Sequence, residues 1–123
     1  MSKLKVYEYA KCGTCVKAKK FLQSNEVAFE PVPIVDTPPS EKEIRTMLFY
    51  LKSRGQKINK LFNTSGLLYK EMKLSEKIGY MSEDELVALL ARHGKLIKRP
   101  FVLLDNDGVV GFNEAEWKEK VLS

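Results

Sequence analysis

Residues 3–9 alternate apolar and polar positions and contain β-forming side chains, which predicts a strand at the start of the chain. After a short loop at residues 10–13, Cys15, Ala18 and Leu22 recur at helical spacing. This spacing places the three side chains on one face of a helix of about 11 residues. The chain therefore opens with a strand, a loop and an amphipathic helix.

The next apolar run, residues 27–35, contains two prolines. Because proline cannot donate a ladder hydrogen bond, this second strand is expected at a sheet edge or to end early. Ser40 is followed three residues later by Glu43, which is the pattern of a capping box. A second helix is therefore predicted over about 41–53.

The middle of the chain is predicted to be helical. Residues 55–81 favour short helical pieces, interrupted by Gly55, Gly66 and Gly79. A second capping box, Ser82 with Glu85, opens a longer helix that is expected to stop at Gly94.

The last quarter of the chain predicts a hairpin and a closing helix. Residues 100–104 and 109–112 are apolar runs joined by Asp105-Asn106-Asp107-Gly108, a strong turn signal. A helix carrying Trp117 is expected to begin at Asn113 or Glu114.

The predicted order is β-α-β, a helical block, then β-β-α. Strands joined through a helix are expected to be parallel, and the hairpin is antiparallel, so a mixed four-stranded sheet results. This is an α/β arrangement of the thioredoxin-like (glutaredoxin-like) kind. We expect a single domain over residues 1–123, with a helical insertion at about 40–94, because no repeat or linker interrupts the pattern.

The composition agrees with a soluble protein. At 123 residues, with 44% hydrophobic and 30% charged side chains, the chain can bury a core without structural cross-links. No apolar run approaches the roughly 20 residues of a membrane span, and we expect no signal peptide before the first strand. We expect a cytoplasmic monomer without a cofactor, and in that reducing compartment a close cysteine pair favours redox or metal chemistry.

The net charge of +5 is concentrated near the cysteines, because the first 20 residues hold six lysines against Glu8 alone. One interpretation is a solvated lysine face. The other is a local field that favours a thiolate and attracts anions. Direct DNA binding is not expected, since no recognition-helix or zinc-finger pattern accompanies the charge.

The chemistry-bearing motif is Cys12-Gly13-Thr14-Cys15 at the start of the first helix. A helix N-terminus stabilises a thiolate, which predicts Cys12 as the exposed nucleophile. Cys15 lies on the apolar face and is the predicted buried resolving thiol, one turn away and within disulfide range. Gly13 is expected to permit a tight turn, and Thr14 to cap the helix or to hydrogen-bond a thiolate.

Two other interpretations of the cysteines remain open. A zinc site uses the same spacing, but the chain has no third cysteine and only one histidine, His93, so we expect no metal. His93 is expected to meet a helix C-terminus and has no predicted catalytic role. The second alternative is an inert structural pair.

A second candidate element, Lys98-Arg99-Pro100, precedes the hairpin. In the predicted sheet this strand start lies beside the cysteine loop. Arg99 would place a positive charge near Cys12, and Pro100, in a cis or trans bond, would leave backbone groups free for a substrate. The alternative is a surface arginine before an edge-strand proline.

The chain resembles the arsenate reductase (ArsC) and Spx family, and within it the short members with a Cys-x-x-Cys motif. The matching segments run in order along almost the whole chain: residues 9–15, 17–22, 38–40, 62–66, 96–100 and 111–114. The resemblance implies a thioredoxin-like core with a helical insertion.

The resemblance also implies two kinds of function. In the arsenate reductases one cysteine attacks arsenate and three arginines hold the oxyanion; here Cys12 and Arg99 match. The other two arginine positions fall near Asn63 and near Phe112 or Asn113. Two oxyanion ligands are therefore missing, and each charge-assisted contact is worth about 1.5–3 kcal/mol, which argues against arsenate as the substrate.

The leading hypothesis is therefore a thiol-disulfide oxidoreductase, an ArsC-like reductase in which Cys12 attacks and Cys15 resolves. Its partner would be glutaredoxin, thioredoxin or a low-molecular-weight thiol. The alternative is an Spx-like redox-sensing transcriptional regulator that binds the RNA polymerase α-subunit and does not turn over.

Overall fold

The fold is built on a four-stranded sheet with the strand order β2-β1-β3-β4 in a computed structural model that describes residues 3–122. The strands are β1 (Leu4–Glu8), β2 (Phe29–Pro33), β3 (Phe101–Leu103) and β4 (Gly108–Val110). β1 and β2 are parallel, whereas β3 is antiparallel to both β1 and β4. The mixed sheet and the edge position of the proline-containing β2 are confirmed.

Six α-helices accompany the sheet in the described part of the chain. They are α1 (Gly13–Ser24), α2 (Glu41–Ser53), α3 (Leu67–Glu71), α4 (Leu74–Lys77), α5 (Glu83–Arg92) and α6 (Glu114–Lys120). Three 3₁₀ turns lie at Ile58–Leu61, Ile78–Tyr80 and Gly94–Leu96. None of these helices is long and apolar enough to cross a membrane.

The predicted capping boxes are present. The Ser40 hydroxyl accepts from the backbone N–H of Glu43, and the Glu43 carboxylate accepts from Ser40 N, which fixes the start of α2. Ser82 and Glu85 repeat this arrangement at α5. Local hydrogen bonding therefore fixes where both helices begin.

One glycine behaves differently from the prediction and another agrees with it. Gly79 does not interrupt the helical segment but lies inside the 3₁₀ turn Ile78–Tyr80. α5 ends at Arg92 with His93 as its C-cap, which confirms the predicted stop at Gly94, and a Cβ built on Gly94 would lie 1.8 Å from the carbonyl oxygen of Ile34. Gly94 is therefore required by the close approach of two backbone segments.

The two faces of the sheet are covered by different helices. On one face, Val6, Val102 and Val109 pack with the buried Trp117 of α6 and the apolar side of α1. On the other face, Tyr7 and neighbouring sheet residues pack against the helices between β2 and β3. Since side chains alternate along β1, Glu8 faces the same side as Val6, toward α1.

Candidate active site

Cys12 lies at the junction between β1 and α1. Its backbone N–H donates to the carbonyl of Tyr9 at 3.0 Å, which closes the loop, and its own carbonyl accepts the first helical hydrogen bond from Val16 N at 3.1 Å. Cys12 is thus the N-cap residue of α1, and its Sγ accepts from Cys15 N at 3.4 Å. The sulfur occupies the place where an N-cap oxygen usually stabilises the first turn of a helix.

The surroundings of Cys12 favour its thiolate. Burial acts to raise the pKa of Cys12, but hydrogen bonds from the backbone and thiol of Cys15 outweigh it, together with the hydrogen bond and charge of Arg99. The pKa of Cys12 is consequently lower than that of a free cysteine thiol. A lowered pKa gives a larger thiolate fraction near neutral pH, and the thiolate is the reactive form.

Cys15 has the opposite environment. Its side chain is completely buried on the stripe that also contains Ala18 and Leu22. Burial is the main cause that raises the pKa of Cys15 to about 12; the backbone of Tyr9 acts in the opposite direction, while Cys12 and Glu8 add to the increase. Both cysteines are free thiols, so the structure corresponds to the reduced pair.

Arg99 reaches the site from the segment before β3. Its guanidinium carbon lies 4.7 Å from the centre of the Tyr9 ring, so the side chain is held over an aromatic face beside the cysteine loop. The peptide bond between Arg99 and Pro100 is cis. The Pro100 carbonyl accepts a hydrogen bond from Gly111 N at 2.9 Å.

A cavity of about 470 Å³ opens beside Cys12. Its lining includes Thr14 and three cationic side chains, but no aspartate or glutamate; the cations are Lys11, Lys98 and Arg99. A cavity with this charge favours substrates that carry negative charge close to the reacting atom.

The wall of the cavity opposite Cys12 is formed by residues 62–66. This wall is attached to the segment that carries Arg99, because Asn63 N donates to Leu96 O at 2.8 Å and Lys98 N donates to Leu61 O at 2.7 Å. Asn63 and Phe112, two of the positions compared above with oxyanion-binding arginines, both line the cavity.

One of the two roles expected for Thr14 needs correction, and Gly13 lies next to open space. A Cβ built on Gly13 meets no atom within 4 Å and the residue has no positive φ, so the turn does not require glycine. The helix cap is provided by Cys12, not by Thr14, which lines the cavity instead. His93 lies in a separate cavity with Val35 and Lys95.

Reasoning from the sequence did not single out Lys11, Tyr9 or Glu8 as parts of the site. Lys11 directly precedes Cys12 and Tyr9 lies three residues before it, so their nearness to the cysteine loop in the chain was an available signal. Glu8 was visible only as an acidic residue within a basic segment. Within residues 3–122, no group of three or more His, Cys, Asp or Glu side chains is arranged to hold a metal ion.

Comparisons with known proteins agree with this architecture. The chain is 45% identical over 116 residues to the uncharacterized protein YusI of Bacillus subtilis, a match covering 94% of this chain and 96% of YusI. It is 29% identical over 105 residues to the global transcriptional regulator Spx of Streptococcus agalactiae, covering 85% of this chain and 73% of Spx.

A solved structure gives the same result. An ArsC family related protein from Bacteroides fragilis superposes with a TM-score of 0.88 at 42% identity, covering 96% of this chain and 97% of that protein. The thioredoxin-like fold is thereby confirmed. The model of the ArsC family matches residues 7–120, and the chain therefore belongs to the ArsC family.

Proposed function

We propose that the protein is a thiol-disulfide oxidoreductase that uses Cys12 as nucleophile and Cys15 as resolving thiol. The observation that carries this proposal is the contrast within one helical turn: the pKa of Cys12 is lowered, whereas burial raises the pKa of Cys15 to about 12. At neutral pH such a pair attacks with one defined sulfur.

The reaction proceeds by two exchanges. The Cys12 thiolate attacks a disulfide sulfur of the substrate, forming the Cys12–substrate bond and releasing the other half of the substrate as a thiolate. Cys15 then loses its proton to solvent and attacks Cys12 Sγ, which forms the Cys12–Cys15 disulfide and releases the second thiolate. The substrate disulfide gains two electrons and the cysteine pair loses two.

A reducing thiol returns the protein to its starting state. Glutaredoxin, thioredoxin or a low-molecular-weight thiol can supply the two electrons by the same exchange in reverse. The cationic cavity favours disulfides flanked by carboxylates or other anions.

Arsenate is a less suitable substrate for this cavity. Of the three arginine positions compared above, only Arg99 carries a guanidinium, while Asn63 and Phe112 occupy the cavity wall. Lysines are point charges and do not replace the paired N–H donors with which arginine binds an oxyanion.

The proposal is tested by alkylating reduced protein with iodoacetamide over a range of pH and locating the adduct by mass spectrometry. We expect modification of Cys12 with an apparent pKa below the free-thiol value of about 8.5. A Cys15→Ser variant should accumulate the mixed disulfide with an added disulfide, and a Cys12→Ser variant should not. A Cys12 pKa at or above the free value, with no trapped adduct, would contradict the proposal.

The likeness to Spx supports a second candidate function, redox-dependent binding to the α-subunit of RNA polymerase. In that case the Cys12–Cys15 disulfide would change affinity for the partner and not turn over. A pull-down with the C-terminal domain of the α-subunit, under reducing and oxidising conditions, distinguishes the two functions. Absence of binding in both states would argue against the regulator function and leave the oxidoreductase function as the one supported.

A further inference from the structure

Glu8 is a buried acidic residue that the exchange reaction does not use. It lies at the end of β1 and is only 7% exposed. Removing a carboxylate from water is costly unless a partner compensates for the lost hydration. The position of Glu8 beneath α1 therefore raises the question of what this charge does to the neighbouring thiols.

The partner of Glu8 is Lys19, whose Nζ lies 2.8 Å from Glu8 Oε1. Lys19 follows Cys15 by four residues, so both side chains lie on the same side of α1. Among the described residues, no donor makes a hydrogen bond of good geometry to Glu8 Oε1. The carboxylate is thus held under the first turns of α1 by attraction between charges, on the side where Cys15 is buried.

Besides Glu8, the charged or titratable groups near Cys15 are Lys19 on α1, Cys12 at the N-cap of α1, and Arg99, which acts on Cys12 from the segment before β3. After burial, the hydrogen bond and the charge of Cys12 raise the pKa of Cys15, and the charge of Glu8 adds a smaller increase. Once Cys12 has formed a mixed disulfide, its sulfur no longer carries negative charge. Glu8 is then the anion that still acts on Cys15.

We propose that Glu8 lengthens the lifetime of the Cys12 mixed disulfide by placing a buried negative charge on the side of α1 where Cys15 lies. The inference rests on the proposed function, because it concerns the second exchange. In that step Cys15 releases its proton to solvent, its sulfur bonds to Cys12 Sγ, and the substrate sulfur leaves as a thiolate with the electron pair of the broken bond. Glu8 is a positioning residue that slows this step and leaves the first exchange unchanged.

The experiment is stopped-flow mixing of reduced protein with the chromogenic disulfide dithiobis(nitrobenzoate). The first exchange releases one nitrothiobenzoate at a rate that depends on reagent concentration. Attack by Cys15 releases the second at a rate that does not. A missing first phase would contradict the proposed function, whereas the second phase tests Glu8 alone.

We expect Glu8→Gln to accelerate the second phase. Each tenfold gain in the thiolate fraction of Cys15 should give about a threefold gain in rate, because nucleophilicity falls as the pKa falls. Glu8→Leu should act in the same direction, which preserves the test if one variant folds poorly. Glu8→Asp keeps the charge and should remain near the wild-type rate.

The matched control is Glu30→Gln, which removes the same charge from an exposed position on β2 and should leave both phases unchanged. A merely structural role of Glu8 would not accelerate the second phase. An unchanged second phase in Glu8→Gln would overturn the proposal. A slower one would also overturn it, because Glu8 would then be assisting the removal of the Cys15 proton.

Discussion

Cys12 and Cys15 lie one helical turn apart in environments of opposite character. Cys12 faces an open cavity with three cationic side chains, and Arg99 helps to lower its pKa. Cys15 is buried beside the ion pair of Glu8 and Lys19, and its pKa is raised to about 12. The difference shows that two cysteines in one short motif can differ in acidity because one faces the cavity and the other is buried under the helix.

The largest expected effect concerns the packing on the Cys15 side of α1. Leu22 is fully buried on the stripe that contains Cys15, so Leu22→Ala should reduce the free energy of unfolding by about 2–5 kcal/mol. Urea denaturation of the reduced protein measures this change.

The control lies on the other side of the same helix. Val16 is 37% exposed, and Val16→Ala should change the free energy of unfolding by less than about 0.5 kcal/mol. Equal losses for the two variants would mean that the two sides of α1 are not packed differently.

The next effect uses pH to separate the thiols. The raised pKa of Cys15 contributes stability below the free-thiol pKa, and this contribution is lost as pH rises toward about 12. Relative to Cys15→Ala, the free energy of unfolding of reduced wild type should therefore fall by about 1–2 kcal/mol between about pH 8 and pH 10.

Cys12 provides the contrast, because its pKa is lowered. Its contribution to stability is lost as pH falls through the folded pKa, so wild type relative to Cys12→Ala should gain stability as pH rises through that range. Urea midpoints of the reduced proteins across pH give both curves. If the free energy of unfolding, relative to the matching alanine variant, changed with pH in the same direction for both cysteines, the contrast between the thiols would be wrong.

The smallest expected effect concerns the cation beside Cys12. Arg99→Met removes the charge and the hydrogen bond that favour the thiolate, so the alkylation rate of Cys12 at neutral pH should fall by about three- to tenfold. Lys95→Met removes one positive charge from a different cavity and should leave that rate unchanged. Equal rates for wild type and Arg99→Met would show that Arg99 does not activate the nucleophile.

Local signals explain why much of the fold was predictable. Ser40 and Glu43 lie three residues apart in the chain, and the hydrogen bonds that start α2 need no distant partner. Residues 104–107 likewise form the connection between β3 and β4, and the composition of residues 105–108 predicts this hairpin. The burial of Cys15 followed from helical periodicity alone.

The parts that sequence reasoning missed depend on contacts between distant segments. Glu8 is polar, yet it lies on the same face of β1 as Val6, where α1 covers it and supplies Lys19 as its partner. The wall at residues 62–66 acquires its position from hydrogen bonds to residues 96–98, more than thirty positions away in the chain. Composition and spacing carry no signal for such pairings.

The attachment of this wall links two distant parts of the chain. Phe62 and Ile97 form a β-bridge, with backbone hydrogen bonds on both sides of it, so backbone contacts join the wall to the segment that carries Arg99. Two segments that are far apart in the sequence thereby line the cavity beside Cys12 together.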